Sequence, residues 1–185
     1  MADQYVIVGG NAAGMSTATR FRRLNEDATI IVIEAGEHVS YASCGLPYHL
    51  NDAVPESELA VMDAAQLGAA FNLDVRTQES VVDVDVTAQT VAIASEDQED
   101  TYHLSYDDLV LATGAEPLIP PMFELEALDH CYTMRTVPDA IAIREEVDDA
   151  DRALVIGAGY IGIEVAEALT EAGHDVVVAE LLEQV

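Results

Sequence analysis

Whatever chemistry this sequence can do rests on one thiol and two glycine-rich turns. Cys44 lies in Ser40-Tyr41-Ala42-Ser43-Cys44-Gly45-Leu46-Pro47-Tyr48. Gly9-Gly10-Asn11-Ala12-Ala13-Gly14 precedes it, and Gly157-Ala158-Gly159-Tyr160-Ile161-Gly162 follows far downstream. Where such a turn follows a strand and opens a helix, backbone N–H groups at the helix N-terminus receive a pyrophosphate. An acid closing the next strand then accepts from ribose hydroxyls. The acids here are Glu34, 20 residues past Gly14, and Glu180. A carboxylate at Glu180 repels a 2′-phosphate, which favours NADH over NADPH. Two dinucleotides and an isolated thiol imply electrons passing from one dinucleotide, through another, to sulfur. Taken alone, a free cysteine is more often a small buried hydrophobe than a reactive group.

The second cysteine, Cys131, sits in the strand-like Asp129-His130-Cys131-Tyr132-Thr133-Met134, where a core role is expected. Two distant cysteines form neither a disulfide framework nor a metal-ligand pattern, and the five histidines supply no helical ligand pair, so no metal is expected. The 35 acids outnumber seven bases, all arginine, for a net charge of −28. Such a surface repels nucleic acid. Spread through runs such as Glu96-Asp97-Gln98-Glu99-Asp100 and Asp148-Asp149-Ala150-Asp151, the acids suit a halophilic interior, because salt near 1 M shortens the Debye length to about 3 Å and removes the self-repulsion. The melting temperature is therefore expected to rise with KCl; a maximum in dilute buffer would overturn this expectation. Arg20, Arg22 and Arg23 place three of the seven bases within four residues. They either offset a helix C-terminal dipole or, along the Ser16/Arg20/Arg23 face at i, i+4, i+7 spacing, offer a polyanion a rare landing place.

Certain elements must position these groups. Residues 4–8 read as a strand, followed by the first turn and a helix to about Leu24 with Met15, Ala18, Phe21 and Leu24 on its apolar side. Thr29–Ile33 is a buried-type strand ending at Glu34. Asp63–Phe71 reads as a helix and Leu73–Arg76 as a strand. Ser80–Thr87, Gln89–Ala94 and Thr101–Leu104 alternate as a three-stranded antiparallel meander. Tyr106–Leu111 leads into Ala112-Thr113-Gly114-Ala115, and Leu118-Ile119-Pro120-Pro121 marks a boundary. A helix over Pro138–Val147, a strand over Arg152–Ile156, a helix to about Ala172 and a strand over His174–Ala179 complete the second unit. The expected fold class is α/β, with two Rossmann-like domains: 1–116 for the first dinucleotide, and 117–185 for the start of the second. The second unit has too few strands for a complete nucleotide-binding half, so the polypeptide is expected to be the N-terminal part of something longer. No apolar run approaches the ~20 residues of a membrane span, and the N-terminus carries no signal-peptide pattern. A cytoplasmic location is expected.

This combination resembles the FAD-dependent pyridine nucleotide–disulfide oxidoreductases. Within them it is similar to the single-cysteine branch of coenzyme A-disulfide reductases, NADH oxidases and NADH peroxidases. Val39–Tyr48 is close to that branch's S-F-x-x-C-G-x-P, with Tyr41 for Phe. The resemblance implies FAD in the first unit, held by Gly9, Asn11, Ala12, Ala13, Gly14, Glu34 and Ala35, with Val81 near the adenine and Ala112, Thr113, Gly114 and Arg135 beside the flavin. It implies NADH or NADPH on Gly157, Gly159, Tyr160, Ile161, Gly162, Glu164 and Glu180. Cys44 becomes the redox thiol. The C-x4-C members pair it internally, but His49 stands at that position here, so its partner is external. A helix opening at Cys44 would favour the thiolate. By resemblance, Ser16, Arg20, Arg23, Ser40 and Ser43 hold coenzyme A; Ser43 replaces the Asn common there, and a Lys usual before the Leu73–Arg76 strand is absent. Ala12 replaces the His that contacts a sulfenic acid in the oxidases and peroxidases, which favours a reductase of coenzyme A disulfide. NADH oxidase or peroxidase chemistry through a Cys44 sulfenic acid is the rival, and a non-catalytic nucleotide-binding fragment a further one. The family's C-terminal half, which carries its dimerisation domain, is missing from the sequence, and the full-length protein is expected to be a homodimer.

Overall fold

The computed structural model describes residues 3–95, 101–120 and 128–183. The acidic run Glu96–Asp100 and Pro121 lie outside the described residues. Two compact units divide the chain, but not linearly. The first takes the residues through Tyr41 and Ala60–Gly114; the second takes Ala42–Leu59 and the residues from Ala115 onward.

The first unit starts with β1 (Gln4–Val8), α1 (Ala12–Leu24) and β2 (Thr29–Ile33), and continues with α2 (Ala64–Phe71) and β3 (Asp74–Arg76). After β4 (Glu79–Asp85), β5 (Thr90–Ser95) and β6 (Tyr102–Ser105), β7 (Asp108–Leu111) returns to the first sheet. That sheet is parallel with order β3-β2-β1-β7. The other three strands form the antiparallel meander β4-β5-β6. β1 and β2 are near-continuous apolar runs because both of their faces are covered, as parallel sheets require. Successive side chains point to opposite faces. Ile7, Ile30 and Val32 pack with Met15, Ala18 and Leu67 on the helical side. Val6, Ile31 and Ile33 pack with Val91 and Ile93 of the meander. Of the apolar side of α1, Met15 and Ala18 are buried and Phe21 stacks 4.8 Å from Tyr5, but Leu24 is exposed.

Local signals set the ends of these elements. Asp63 caps α2, accepting from Gln66 N at 2.7 Å, while the Gln66 side chain accepts from Asp63 N at 3.0 Å. This reciprocal box satisfies two N–H groups the helix cannot. Arg22 decides between two readings of the arginine cluster for one of its members. Its guanidinium donates to the carbonyls of Phe71, Asn25, Glu26, Ala28 and Asn72 at 2.7–3.3 Å. It thereby staples the C-terminal ends of α1 and α2, and is structural. Arg76 at the end of β3 binds Asp74 and donates to Tyr102 Oη at 2.8 Å, and Tyr102 donates to Glu79. This network ties the meander to the parallel sheet. Burial, then the bond to Glu79, pushes the Tyr102 phenol above its usual range.

The second unit contains α3 (Val137–Val147), β8 (Arg152–Ile156), α4 (Tyr160–Glu171) and β9 (Asp175–Ala179). β8 and β9 pair in parallel, Arg152 opposite Asp175 through Ile156 opposite Ala179. Thr136 caps α3 in a second reciprocal box with Asp139. The core is Val147, Val165, Ala168 and Leu169, completed by Leu50 from the Ala42–Leu59 excursion. The expected strand at Asp129–Met134 does not form. His130 takes a left-handed φ of +58°, which breaks an extended run, and Glu146 of α3 accepts from the side chains on both sides of the half-buried Cys131, His130 and Tyr132. Among the described residues no helix is long and apolar enough to cross a membrane.

Candidate functional site

The two glycine turns are built alike. In the first, Gly9 N donates to Ile33 O at 2.8 Å and Gly9 adopts φ +107°, a conformation favouring glycine. A Cβ there would lie 2.2 Å from Ala112 O, so the segment that follows β7 leaves no room for any other residue. A Cβ on Gly14 would lie 1.8 Å from Gly9 O, which lets α1 start flush against the turn. In the second, Gly157 N donates to Ala179 O at 2.8 Å, Gly157 has φ +98°, and a Cβ on Gly162 would lie 2.0 Å from Gly157 O.

The two acids are held alike as well. Glu34 accepts from Gly10 N at 2.7 Å and from Gly36 N at 2.9 Å, one bond to each oxygen. Glu180 accepts from Ala158 N at 2.7 Å and from Leu182 N at 2.8 Å, again one to each oxygen. The bonds from Leu182 and Ala158 hold the Glu180 carboxyl below its usual pKa, so it stays ionised at neutral pH. Both acids thus stand as fixed acceptors at a turn whose helix still has free N–H groups. The earliest helical donors are Met15 N to Asn11 O at 2.8 Å and Ile163 N to Gly159 O at 3.0 Å, which leaves the preceding N–H groups without intrahelical acceptors.

Gly159 is different from the other turn glycines. Its φ is −71°, and a Cβ on it would meet nothing within 4 Å. Among the described residues nothing requires glycine there. A glycine there leaves the backbone open to close approach, which fits a pyrophosphate in a turn of this kind. The residues of both turns therefore fit a dinucleotide. Tyr160 is 94% exposed and Ile161 is exposed beside it, while Glu164 is half-buried one turn on.

The remaining first-unit positions divide by role. Ala12, Ala13 and Ala35 are exposed at the turn and beyond Glu34, and Asn11 is the N-cap residue of α1. Glu34 is fixed in the backbone too, donating to Arg76 O at 2.8 Å and accepting from Glu79 N at 3.1 Å. Val81 packs half-buried on the meander face, next to the β4 bulge. Thr113 and Gly114, with φ +72° at Gly114, are exposed beyond β7. Arg135, in the second unit, donates from Nε to Ala115 O at 2.8 Å.

Cys44 is exposed, in the second unit, on a 3-10 turn over Ser43–Gly45. No helix opens there. Pro47 cannot donate the N–H that an α-helix would need, and the chain instead makes a second 3-10 turn over Pro47–His49. The helix expected to open at Cys44 is therefore absent, and its dipole with it. His49 is buried and its Nδ1 lies 2.9 Å from Val54 O, so the position of an internal second cysteine is occupied by a packed imidazole.

Among the proposed anion-binding residues, Ser16, Arg20 and Arg23 are all exposed on α1. Arg20 and Arg23 enter no salt bridge among the described residues, although the chain carries 35 acids. Ser40 holds φ +54°, its N–H donates to Gly10 O at 2.9 Å, and its carbonyl accepts from Val61 N at 3.0 Å. Both bonds lie within the first unit, and they hold this strained residue beside the first glycine turn. Ser43 is exposed on the Cys44 turn.

Sequence reasoning missed Gly10 and Ala158, the donors to the two acids. Gly10 is also confined sterically, since a Cβ there would lie 2.6 Å from Val39 Cγ1. Both are second in their turn, so superposing the two turns on each other would have found them.

Comparison with known proteins agrees with this geometry. A family model described as "Pyridine nucleotide-disulphide oxidoreductase" matches residues 3–185. An NADH oxidase of Methanocaldococcus jannaschii is 36% identical over 97% of this chain and 40% of its own length. A coenzyme A disulfide reductase of Staphylococcus haemolyticus is 32% identical over 97% of this chain and 41% of its own. The crystal structure of reduced Bacillus anthracis CoADR-RHD superposes with a TM-score of 0.95 at 37% identity, over all of this chain and 34% of that one. The chain thus spans about two fifths of the length of the curated relatives it matches.

Proposed function

Because the chain belongs to the pyridine nucleotide-disulphide oxidoreductase family, we propose that it serves an FAD-dependent enzyme of the single-cysteine branch. Such an enzyme takes electrons from NADH and reduces a small-molecule disulfide, coenzyme A disulfide first. The observation that carries this reading is the setting of Cys44. It is an exposed thiol on a turn, and the position five residues on holds a buried, hydrogen-bonded His49 rather than a second cysteine. The names of the two curated relatives, a coenzyme A disulfide reductase and an NADH oxidase, support this reading and its oxidase rival.

In this mechanism the Cys44 thiolate attacks one sulfur of the disulfide RSSR. The S–S bond breaks, Cys44–S–SR forms and RS⁻ leaves, taking up a proton as RSH. Bound nicotinamide and flavin would supply the two electrons that cleave this mixed disulfide, returning the Cys44 thiolate and, with a proton, a second RSH. The turn residues Gly9, Ala12, Ala13 and Gly14 and the acid Glu34 would hold FAD by backbone N–H groups and by ribose acceptance. Gly157, Gly159 and Gly162, with Glu180, would hold NADH in the same way. The exposed Arg20 and Arg23 would bind the phosphates of coenzyme A, with Ser16, Ser40 and Ser43 as hydroxyl partners. We place the full-length protein in a saline cytoplasm, as a homodimer.

The test is NADH consumption by the FAD-loaded full-length protein under argon with coenzyme A disulfide. Turnover that releases two thiols per NADH is expected. Absence of turnover under argon, with rapid turnover in air, would replace the reductase reading by the oxidase one.

Cofactor choice follows from Glu180. Glu180→Ala removes the acceptor for ribose hydroxyls and the charge that repels a 2′-phosphate. NADH affinity is expected to fall and NADPH affinity to rise, shifting their ratio by about tenfold or more, equivalent to roughly 1.4 kcal/mol. An unchanged ratio in paired fluorescence titrations would show that Glu180 does not face the ribose.

A further inference from the structure

We infer that Arg144 of α3, acting through Asp52, is the positioning residue that fixes Cys44. The inference rests on the reading of Cys44 as the redox thiol.

From Ala42 to Asp52 the excursion is a chain of short turns. Gly45 N donates to Ala42 O, Leu46 N to Ser43 O, His49 N to Leu46 O, Leu50 N to Pro47 O and Asp52 N to His49 O, at 2.8–3.4 Å. Each bond closes a turn of three residues, so displacement at one end is passed to the other rather than absorbed in a loop. The far end of this rod is fastened within the second unit. Leu50 is fully buried among Val147, Val165 and Leu169, which sets its depth. Apolar contact does not set rotation about that anchor, because it is non-directional. Directional bonds do so here. Arg144 Nη2 donates to both carboxylate oxygens of Asp52, at 3.1 and 2.9 Å, and its Nε donates to one of them at 3.2 Å. Asn51 Nδ2 adds a bond to Glu171 of α4 at 2.7 Å.

Two further observations single out the Arg144 pair. Asp52 holds φ +60°, in the left-handed region, where glycine would be relaxed. An aspartate at this corner costs backbone energy, which its paired carboxylate offsets. Arg144 is itself preorganised: its Nη1 binds Asp148 one turn on, its side chain is 21% exposed, and its pKa is raised by Asp52 first and Asp148 second. In a fork–fork pair the angle of approach is fixed as well as the distance. The consequence is that Cys44, exposed and without a helix to hold it, receives its orientation from α3.

The test uses the FAD-loaded full-length protein and compares two acceptors for NADH electrons. Coenzyme A disulfide needs Cys44; ferricyanide, an outer-sphere oxidant, takes electrons without it. Arg144→Gln is expected to lower kcat with the disulfide by about tenfold to a hundredfold, the range that a misplacement near 1 Å produces. Ferricyanide turnover and KM for NADH should stay as in the wild type. Asp52→Gly, which relaxes the backbone and sits on an exposed corner, should lower disulfide turnover in the same way without lowering the melting temperature. Arg144→Lys, a point charge without the fork, should recover only part of the loss. Equal losses with both acceptors, or full disulfide turnover in both Arg144→Gln and Asp52→Gly, would overturn the inference. If Cys44→Ser retains disulfide turnover, the reading of Cys44 itself fails, and that result is distinct from either of these.

Discussion

Cys44→Ser is expected to lower disulfide turnover by on the order of 10³-fold or more, since the nucleophile and its covalent intermediate are both lost. A serine hydroxyl neither ionises near neutral pH nor forms a bond to sulfur that two electrons can cleave. The substitution replaces sulfur by oxygen on an exposed turn, so folding should be unaffected. NADH-driven reduction of ferricyanide should therefore continue in the same preparation. Both rates should be measured on FAD-loaded full-length protein, together with the flavin spectrum. Disulfide reduction that survives in Cys44→Ser would remove the thiol from the mechanism. Loss of both activities together with the flavin would mean that the residue supports cofactor binding instead.

Two alanine substitutions in the second glycine turn should separate ligand from fold. In Gly159→Ala the new methyl meets no protein atom within 4 Å, and φ of −71° suits alanine. Alanine is a poorer N-cap than glycine by several tenths of a kcal/mol. Reduced freedom of the unfolded chain offsets this by about 0.4–1 kcal/mol. The melting temperature should barely move, whereas NADH affinity should fall about tenfold or more, near 1.4 kcal/mol, because the methyl occupies the space left for a pyrophosphate. In Gly162→Ala the methyl would lie 2.0 Å from Gly157 O, a backbone atom that only a shift of the turn can move. Overpacking of this kind costs about 1–3 kcal/mol, against at most about 1 kcal/mol gained in helix propensity. Thermal melts and NADH titrations of the two variants decide the matter. A melting temperature that drops as far in Gly159→Ala as in Gly162→Ala would mean that Gly159 serves the fold.

The first turn and its acid were legible in the sequence because Gly9 and Gly14 are forced by φ or by clash and β1 and β2 are buried on two faces; in the second turn Gly157 and Gly162 are forced in the same way, while the more exposed β8 and β9 still read as apolar runs ending at an acid. Ile7 and Val6, adjacent and both fully buried, could be read as one apolar run only because a helix layer and a meander each claim one of them. β7 was harder to see: Asp108–Leu111 is short, and only pairing with β1 identifies it as the fourth parallel strand. The Cys44 segment was legible as chemistry but not as structure. Its motif suggested a helix start, while the backbone makes successive 3-10 turns whose bonds are invisible to periodicity. The role of Arg22 was also hidden. Three arginines in four residues look equivalent in sequence, and only the five carbonyls around Arg22 distinguish it from the exposed Arg20 and Arg23. Nor does any local pattern reveal that Leu50 belongs with Val147 and Leu169, since that partnership spans about a hundred residues.

That last partnership also imposes an order on synthesis. Leu50 leaves the ribosome well before α3 and α4 exist, and at 5–20 residues per second the interval to Val147 is roughly 5–20 s. Until Leu111 is made, the first unit's sheet lacks β7 as well, so over the first part of that interval neither unit can close. Leu46, Pro47 and Leu50, all buried in the finished protein, wait in water beside an uncovered thiol. Apolar surface left uncovered in this way makes a nascent chain prone to aggregation. Its yield in a heterologous host should depend on how long elongation takes between codons 50 and 147 as much as on the stability of the finished fold.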